Sequence, residues 1–296
     1  MRKWIARSAV GLTVLVSGAG AAFMVLADMG ERKIARRIDV AVTPVAFRSD
    51  AASVERGAYL FKSRGCGDCH GADGAGHVVV EDGKGLLVRS PDITPAPNGV
   101  VAPYTPADWV RTIRHGVKPD GRPVMIMPSE EYNRLVDADL AAIVAYVRQL
   151  APATGARAEV RLPMPVKALY AAGLVRDASE KIDHSLAPAQ PVPEGITTAH
   201  GAYVANGCIG CHGARLTGGK IAGAPPDWPA AARLAPGPGS ALDRYPSAEP
   251  FMAMLKTGKR PDGSSVSKVM PFVSLKEMNE VDVRALYLHL RSLPSS

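Results

Sequence analysis

The chain has 296 residues, room for two domains, and its 29 Gly and 25 Pro make it rich in loops. With 47% hydrophobic and 21% charged residues it is not a disordered chain, and its single long uncharged stretch excludes a polytopic membrane protein. The net charge of +7 comes without any Lys/Arg run interleaved with aromatics, which argues against a nucleic-acid partner.

In chain order, Met1 to Arg7 is short and basic, and Ser8 to Ala27 follows with no charge. A secretory signal needs an apolar region of about 7–15 residues and a membrane-spanning helix about 20. The length favours residues 1–27 as an uncleaved transmembrane anchor. The competing reading is a cleaved signal with Ala19-Gly20-Ala21 as its site, although Phe23, Met24, Val25 and Leu26 prolong the apolar run. Arg32, Lys33, Arg36 and Arg37 outnumber the N-terminal charges, so charge bias does not fix the orientation. That cluster can instead lie along anionic head groups. Residues 28–50 read as a periplasmic linker.

Ser53 is placed to cap a helix carrying Val54, Ala58 and Phe61. It leads into Cys66-Gly67-Asp68-Cys69-His70, and Cys208-Ile209-Gly210-Cys211-His212 repeats that pattern. Cys-x-x-Cys-His is the attachment signature of c-type haem. Two thiols add across the vinyl groups of one porphyrin edge, and the adjacent His reaches the iron. A thiol–disulfide pair needs no His after its second Cys, and one zinc on four thiolates leaves both histidines unexplained. The motifs therefore predict two covalently bound haem c groups, on Cys66, Cys69, Cys208 and Cys211, with His70 and His212 as metal ligands. Aromatics at 5% are thin for two cores, which leaves space for such a group.

The repeat runs past the motifs. Trp109 and Phe251, Pro119-Asp120-Gly121 and Pro261-Asp262-Gly263 keep the spacing of 142 that separates Cys66 from Cys208. Met127-Pro128 and Met270-Pro271 match at 143, and Gly57-Ala58-Tyr59 and Gly201-Ala202-Tyr203 at 144. A thioether completes a His-ligated iron and raises its potential. Met127 and Met270 are the candidates; Met125 and His115 compete in the first unit but have no counterpart in the second. His77, His184, His200 and His289 read as structural or solvated.

Each unit reads as helices around a haem. Asp137 is placed to cap a helix with Leu140, Ile143, Val144 and Val147 on one stripe, and Asn279 one with Val283, Leu286 and Leu290. A third helix precedes each Pro-Asp-Gly turn. No convincing strand is present, Val78-Val79-Val80 being the best candidate. The fold class is all-α, with domains at 51–152 and 196–296 joined by a Pro/Ala-rich linker over 153–195 that carries a short helix near Val166–Val175.

These residues resemble class I cytochrome c domains in tandem, over roughly 51–152 and 196–296. Arg56-Gly57-Ala58-Tyr59, Pro91-Asp92-Ile93-Thr94-Pro95, Met127-Pro128-Ser129-Glu130-Glu131-Tyr132 and Leu162-Pro163-Met164-Pro165-Val166 are similar to the multi-haem cytochrome subunits of bacterial periplasmic dehydrogenases. The resemblance implies an electron carrier, not an enzyme, taking electrons from a periplasmic dehydrogenase and passing them to a cytochrome or terminal oxidase. It also implies that the linker packs along the domains. Many such subunits carry three haems where this chain has two motifs, and Pro225-Pro226-Asp227-Trp228 stands where the second unit lacks Ile-Thr-Pro. The alternative function is a dihaem cytochrome c peroxidase-like enzyme, which needs an iron with an open position.

Overall fold

A computed structural model describes all residues except Met1, Ala222, Pro226 and Ser296, with the backbone alone given for 2–10 and 12. The first helix, α1 (Arg2–Ala35), runs past the uncharged stretch through Asp28 to Ala35. Its segment Thr13–Ala35 is long and apolar enough to cross a membrane, with mean hydropathy 1.5.

The first unit holds α2 (Ala51–Ser63), α3 (Cys66–His70), β1 (Val78–Glu81), β2 (Leu87–Arg89), α4 (Pro106–His115), α5 (Ser129–Tyr132) and α6 (Asp137–Val147). Then come β3 (Glu159–Arg161) and α7 (Met164–Ala171). The second unit repeats the helices as α8 (Thr198–Ala205), α9 (Ile209–His212), α10 (Ala248–Thr257), α11 (Phe272–Leu275) and α12 (Glu280–Ser292). The chain is mostly helical, but not purely so. The strands β1, β2 and β3 form an antiparallel sheet, pairing Val88 with both Val80 and Val160. Sequence reading missed β2 and β3 because three-residue strands carry no period to detect.

Two apolar cores follow the repeat. Leu60, Phe61, Trp109, Leu140 and Val144 centre the first. Val204, Leu242, Phe251, Leu286 and Leu290 centre the second. Each is built on a helix crossing that needs glycine. A Cβ on Gly57 would lie 1.9 Å from the Ala142 carbonyl oxygen, and one on Gly201 would lie 1.9 Å from that of Ala285. The backbones of α2 and α6, and of α8 and α12, thus meet where any side chain would collide.

Capping differs from expectation at two helices. Asp50, not Ser53, caps α2: its carboxylate accepts from the Ser53 backbone N–H and from the Ser53 hydroxyl. Asp137 lies inside the first turn of α6 behind Val136 and pairs with the buried Arg114. At α12, Asn279 accepts from the Asp282 N–H as expected.

The segments read as linkers are packed. Val42, Val45 and Phe47 lie against the first core. Of the cations after the apolar stretch, Lys33 pairs with Glu180, Arg36 with Asp177 and Arg32 with Asp28. Much of that basic cluster is therefore committed to protein contacts and not available to head groups. Tyr170, fully buried on α7, ties the end of α1 to the 177–180 turn: its hydroxyl donates to Asp177 and accepts from Arg36.

Candidate functional site

The two motif helices share one backbone plan. Gly71 follows His70 at φ 78° and ψ 157°, and Gly213 follows His212 at φ 78° and ψ 159°, a conformation open to glycine. The next turn closes with Gly76 N–H donating to the His70 carbonyl and Gly218 N–H to that of His212. Neither glycine tolerates a Cβ, which would lie 2.4 Å from the carbonyl of Ser90 or of Ala231.

That loop orients each imidazole. Nδ1 of His70 lies 3.2 Å from the Pro91 carbonyl, and Nδ1 of His212 lies 2.7 Å from that of Ala232. A carbonyl partner fixes Nδ1 as the protonated nitrogen and leaves the Nε2 lone pair for a metal. Burial pushes both imidazoles below their ordinary value, which keeps them neutral and able to ligate. The Ala232 segment, with Arg233 and Leu234 after it, therefore fills the place of Pro91-Asp92-Ile93. The Pro225–Trp228 stretch does not, and its Pro226 lies outside the described residues.

Cys66, Cys69 and Cys208 are half-buried and Cys211 is exposed. Burial pushes the Cys66 and Cys208 thiols up to about 12. Such thiols are poor redox nucleophiles, and all four cysteines are unbridged. Among the described residues no group of three or more His, Cys, Asp or Glu gathers as a metal cage, which removes the four-thiolate arrangement.

The methionines sit on matching turns. Met127 and Met270 are each followed by a proline at φ −79°, and each accepts a 2.8 Å hydrogen bond from the N–H two residues on. In the second unit the ligand candidates converge. Cys208, His212 and Met270 line one cavity of about 500 Å³, walled by Met254, Leu286 and Leu290. An apolar cavity lined by one motif cysteine, Cys208, an oriented imidazole and a thioether suits a covalently attached porphyrin. In the first unit Cys66 and Met127 both pack against the core.

His115 takes another partner. It is buried, its ring stacks on His184 at 5.2 Å, and the two Nδ1 atoms are 3.0 Å apart. His200, read from sequence as structural or solvated, is buried on α8 with Nε2 2.7 Å from Asp282. Asp282 also accepts from Tyr59 at 2.6 Å and Arg64 at 2.8 Å, both from the first unit. Burial alone would raise the Asp282 carboxyl, but Arg64 and these hydrogen bonds hold it below its ordinary value. Glu131, on α5, likewise reaches across to Gly210 inside the second motif. The repeat marks Tyr59 but not Arg64, His200 or Glu131, because single polar residues without a counterpart carry no signal.

Residues 52–147 match the family described as cytochrome c oxidase, cbb3-type, subunit III. The chain resembles the c-type cytochrome subunits of bacterial dehydrogenases. It is 26% identical over 267 residues to the fructose dehydrogenase cytochrome subunit of Gluconobacter japonicus, covering 82% of this chain and 53% of that one. It is 28% identical over 280 residues to the cytochrome c subunit of the quinone alcohol dehydrogenase of Gluconobacter oxydans, covering 83% and 56%. The alcohol dehydrogenase cytochrome c subunit of Gluconacetobacter polyoxogenes is 29% identical over 280 residues, covering 86% and 58%. The chain thus spans a little over half the length of these cytochrome subunits. None of the three is a peroxidase.

Proposed function

We propose that this chain is a dihaem c-type cytochrome that moves single electrons in the periplasm, from a dehydrogenase to a downstream cytochrome or terminal oxidase. Cys66 and Cys69 would attach one haem c, with His70 and Met127 as the residues that would hold its iron. Cys208 and Cys211 would attach the other, with His212 and Met270 as the residues that would hold its iron. When bound, each group supplies a one-electron couple whose potential a thioether ligand raises. The observation that carries the reading is the convergence of Cys208, His212 and Met270 on one apolar cavity.

The chain's own part is to hold and to shield. The Pro91 and Ala232 carbonyls fix the imidazoles. The walls from Leu286, Leu290 and Met254 exclude water, which keeps the site in a low dielectric. An imidazole and a thioether held for each iron would leave no position for substrate, which supports an electron carrier over the peroxidase-like alternative with its open position. A dehydrogenase partner is supported by the kind of subunits the chain resembles. The domain units are 51–152 and 196–296, with α1 as the inner-membrane anchor and the rest in the periplasm. A pyridine haemochrome assay with intact-mass measurement should give two covalent haems per chain. One haem, or haem lost on denaturation, refutes the reading.

A further inference from the structure

We propose that α7 is a second membrane contact: its exposed apolar face lies in the head-group layer beside the point where α1 leaves the bilayer. The inference rests on the anchor reading of α1.

Position comes first. The uncharged run of α1 ends at Asp28, so the bilayer surface lies within about a turn of that residue. The same turn grips α7. Ala27 is buried, and a Cβ on Gly30 would lie 2.2 Å from the Lys167 carbonyl oxygen, so the two backbones touch at this level. Lys167 pairs with Glu31, Lys33 donates to the Tyr170 carbonyl, and the Tyr170 hydroxyl accepts from Arg36. The helix is clamped to the end of the span and does not swing.

Composition comes second. From Leu162 to Val175 the only charge is Lys167, and Glu31 occupies it. The residues turned away from the protein are apolar: Met164 is 40% exposed, Leu169 42% and Leu174 66%. Met29, 51% exposed, adds to them from α1 and shares an open groove with Ala171, Arg32 and Lys33. Exposed arginines bracket the apolar stretch, Arg176 after it and Arg161, paired to Glu159, before it. An apolar helical face flanked by cations is the chemistry of an interfacial segment, buried about 5–10 Å into the head-group boundary. The occupant is therefore a lipid surface. Elsewhere the large exposed apolar residues of the two units, such as Val273 and Leu288, are scattered singly, which needs no partner.

The consequence is orientation. One spanning helix leaves a domain free to rotate about its axis. A second contact at α7, joined through Tyr170 to Asp177 and from there by the Ala178 N–H to the Val124 carbonyl of the first unit, fixes which face meets a partner in the membrane plane.

The test uses the full haem-loaded chain in vesicles of phosphatidylcholine and phosphatidylglycerol. Leu174→Cys and, for comparison, Leu288→Cys on α12 each carry an environment-sensitive fluorophore, and both sites are exposed, so folding is not at stake. Lipids bearing a nitroxide near the head group should quench most of the emission at position 174 and little at 288. Protein that stays with the vesicles but shows no quenching at 174 overturns the α7 contact and leaves that face to a protein partner. Protein that leaves the vesicles in high salt refutes the anchor reading itself, and the contact with it. Haem content, measured on the same samples, reports separately on the electron-carrier reading.

Discussion

Tyr59 donates a 2.6 Å hydrogen bond to Asp282, and Tyr203 donates a 2.8 Å hydrogen bond to Asp139. These are one contact made in both directions, since the two tyrosines and the two aspartates are equivalent positions of the repeat. The backbone follows: the Asn279 N–H donates to the Tyr59 hydroxyl and the Val136 N–H to that of Tyr203. The units therefore meet through the same patch on each, as in an isologous dimer fused into one chain. The remaining partners break the symmetry. Arg56 serves Asp139 from within its own unit, whereas Asp282 has His200 from its own unit and Arg64 from the other.

Asp282→Asn should accordingly be the costliest single change at this seam. It leaves the buried Arg64 without its counter-charge, a loss of about 3–5 kcal/mol. Tyr59→Phe removes the hydrogen bond to charged Asp282, about 1.5–3 kcal/mol, and the weaker one from the Asn279 N–H, about 1 kcal/mol. Urea denaturation of the loaded protein ranks the two, and a milder effect for Asp282→Asn would mean that Arg64 finds another partner.

The helix crossings make a second expectation. Gly57→Ala and Gly201→Ala each put a methyl group onto a backbone carbonyl, which cannot step aside as a side chain can. Overpacking of this kind costs about 1–3 kcal/mol. Gly207→Ala is the control, with nothing within 4 Å of its added carbon. Thermal melts should drop for the first two and hold for the third. Equal melts would mean that α2 and α6 separate at little cost.

Those glycines show what can be read from this sequence. The match of Gly57-Ala58-Tyr59 to Gly201-Ala202-Tyr203 is visible as a repeat, and its cause is now physical: glycine for the crossing, tyrosine for the seam. The motif cysteines, His70 and His212 stand out because attachment chemistry dictates their spacing. Apolar periodicity located α6 and α12, and the repeated Pro-Asp-Gly turns located α4 and α10. What was illegible depends on contacts between distant segments. The role of His200 is hidden in the sequence because its partner Asp282 is 82 positions away. The sheet was hidden because β3 comes from the supposed spacer.

His115 should make stability depend on pH. Burial, then the adjacent His184, Arg114 and Arg111, lower its pKa to about 4. An unfolded histidine titrates near ~6.5. The folded value is the lower one, so this group's stability is present above the unfolded value and is lost as pH falls from there toward about 4. His115→Gln should flatten the stability profile across that window. An unchanged slope would assign the acid sensitivity to other groups.

The methionine assignment is the sharpest test of the site. Met127 and Met270 occupy the same turn before the same proline, while Met125 stands two residues earlier with no equivalent. A thioether stabilises the ferrous iron, so its loss lowers the potential. Met270→Ala should therefore lower one of two potentials in a redox titration, and Met127→Ala the other. Met125→Ala should move neither, because it leaves both thioethers in place. A fall in potential for Met125→Ala with none for Met127→Ala would transfer the ligand to Met125 and break the equivalence of the two units at the metal.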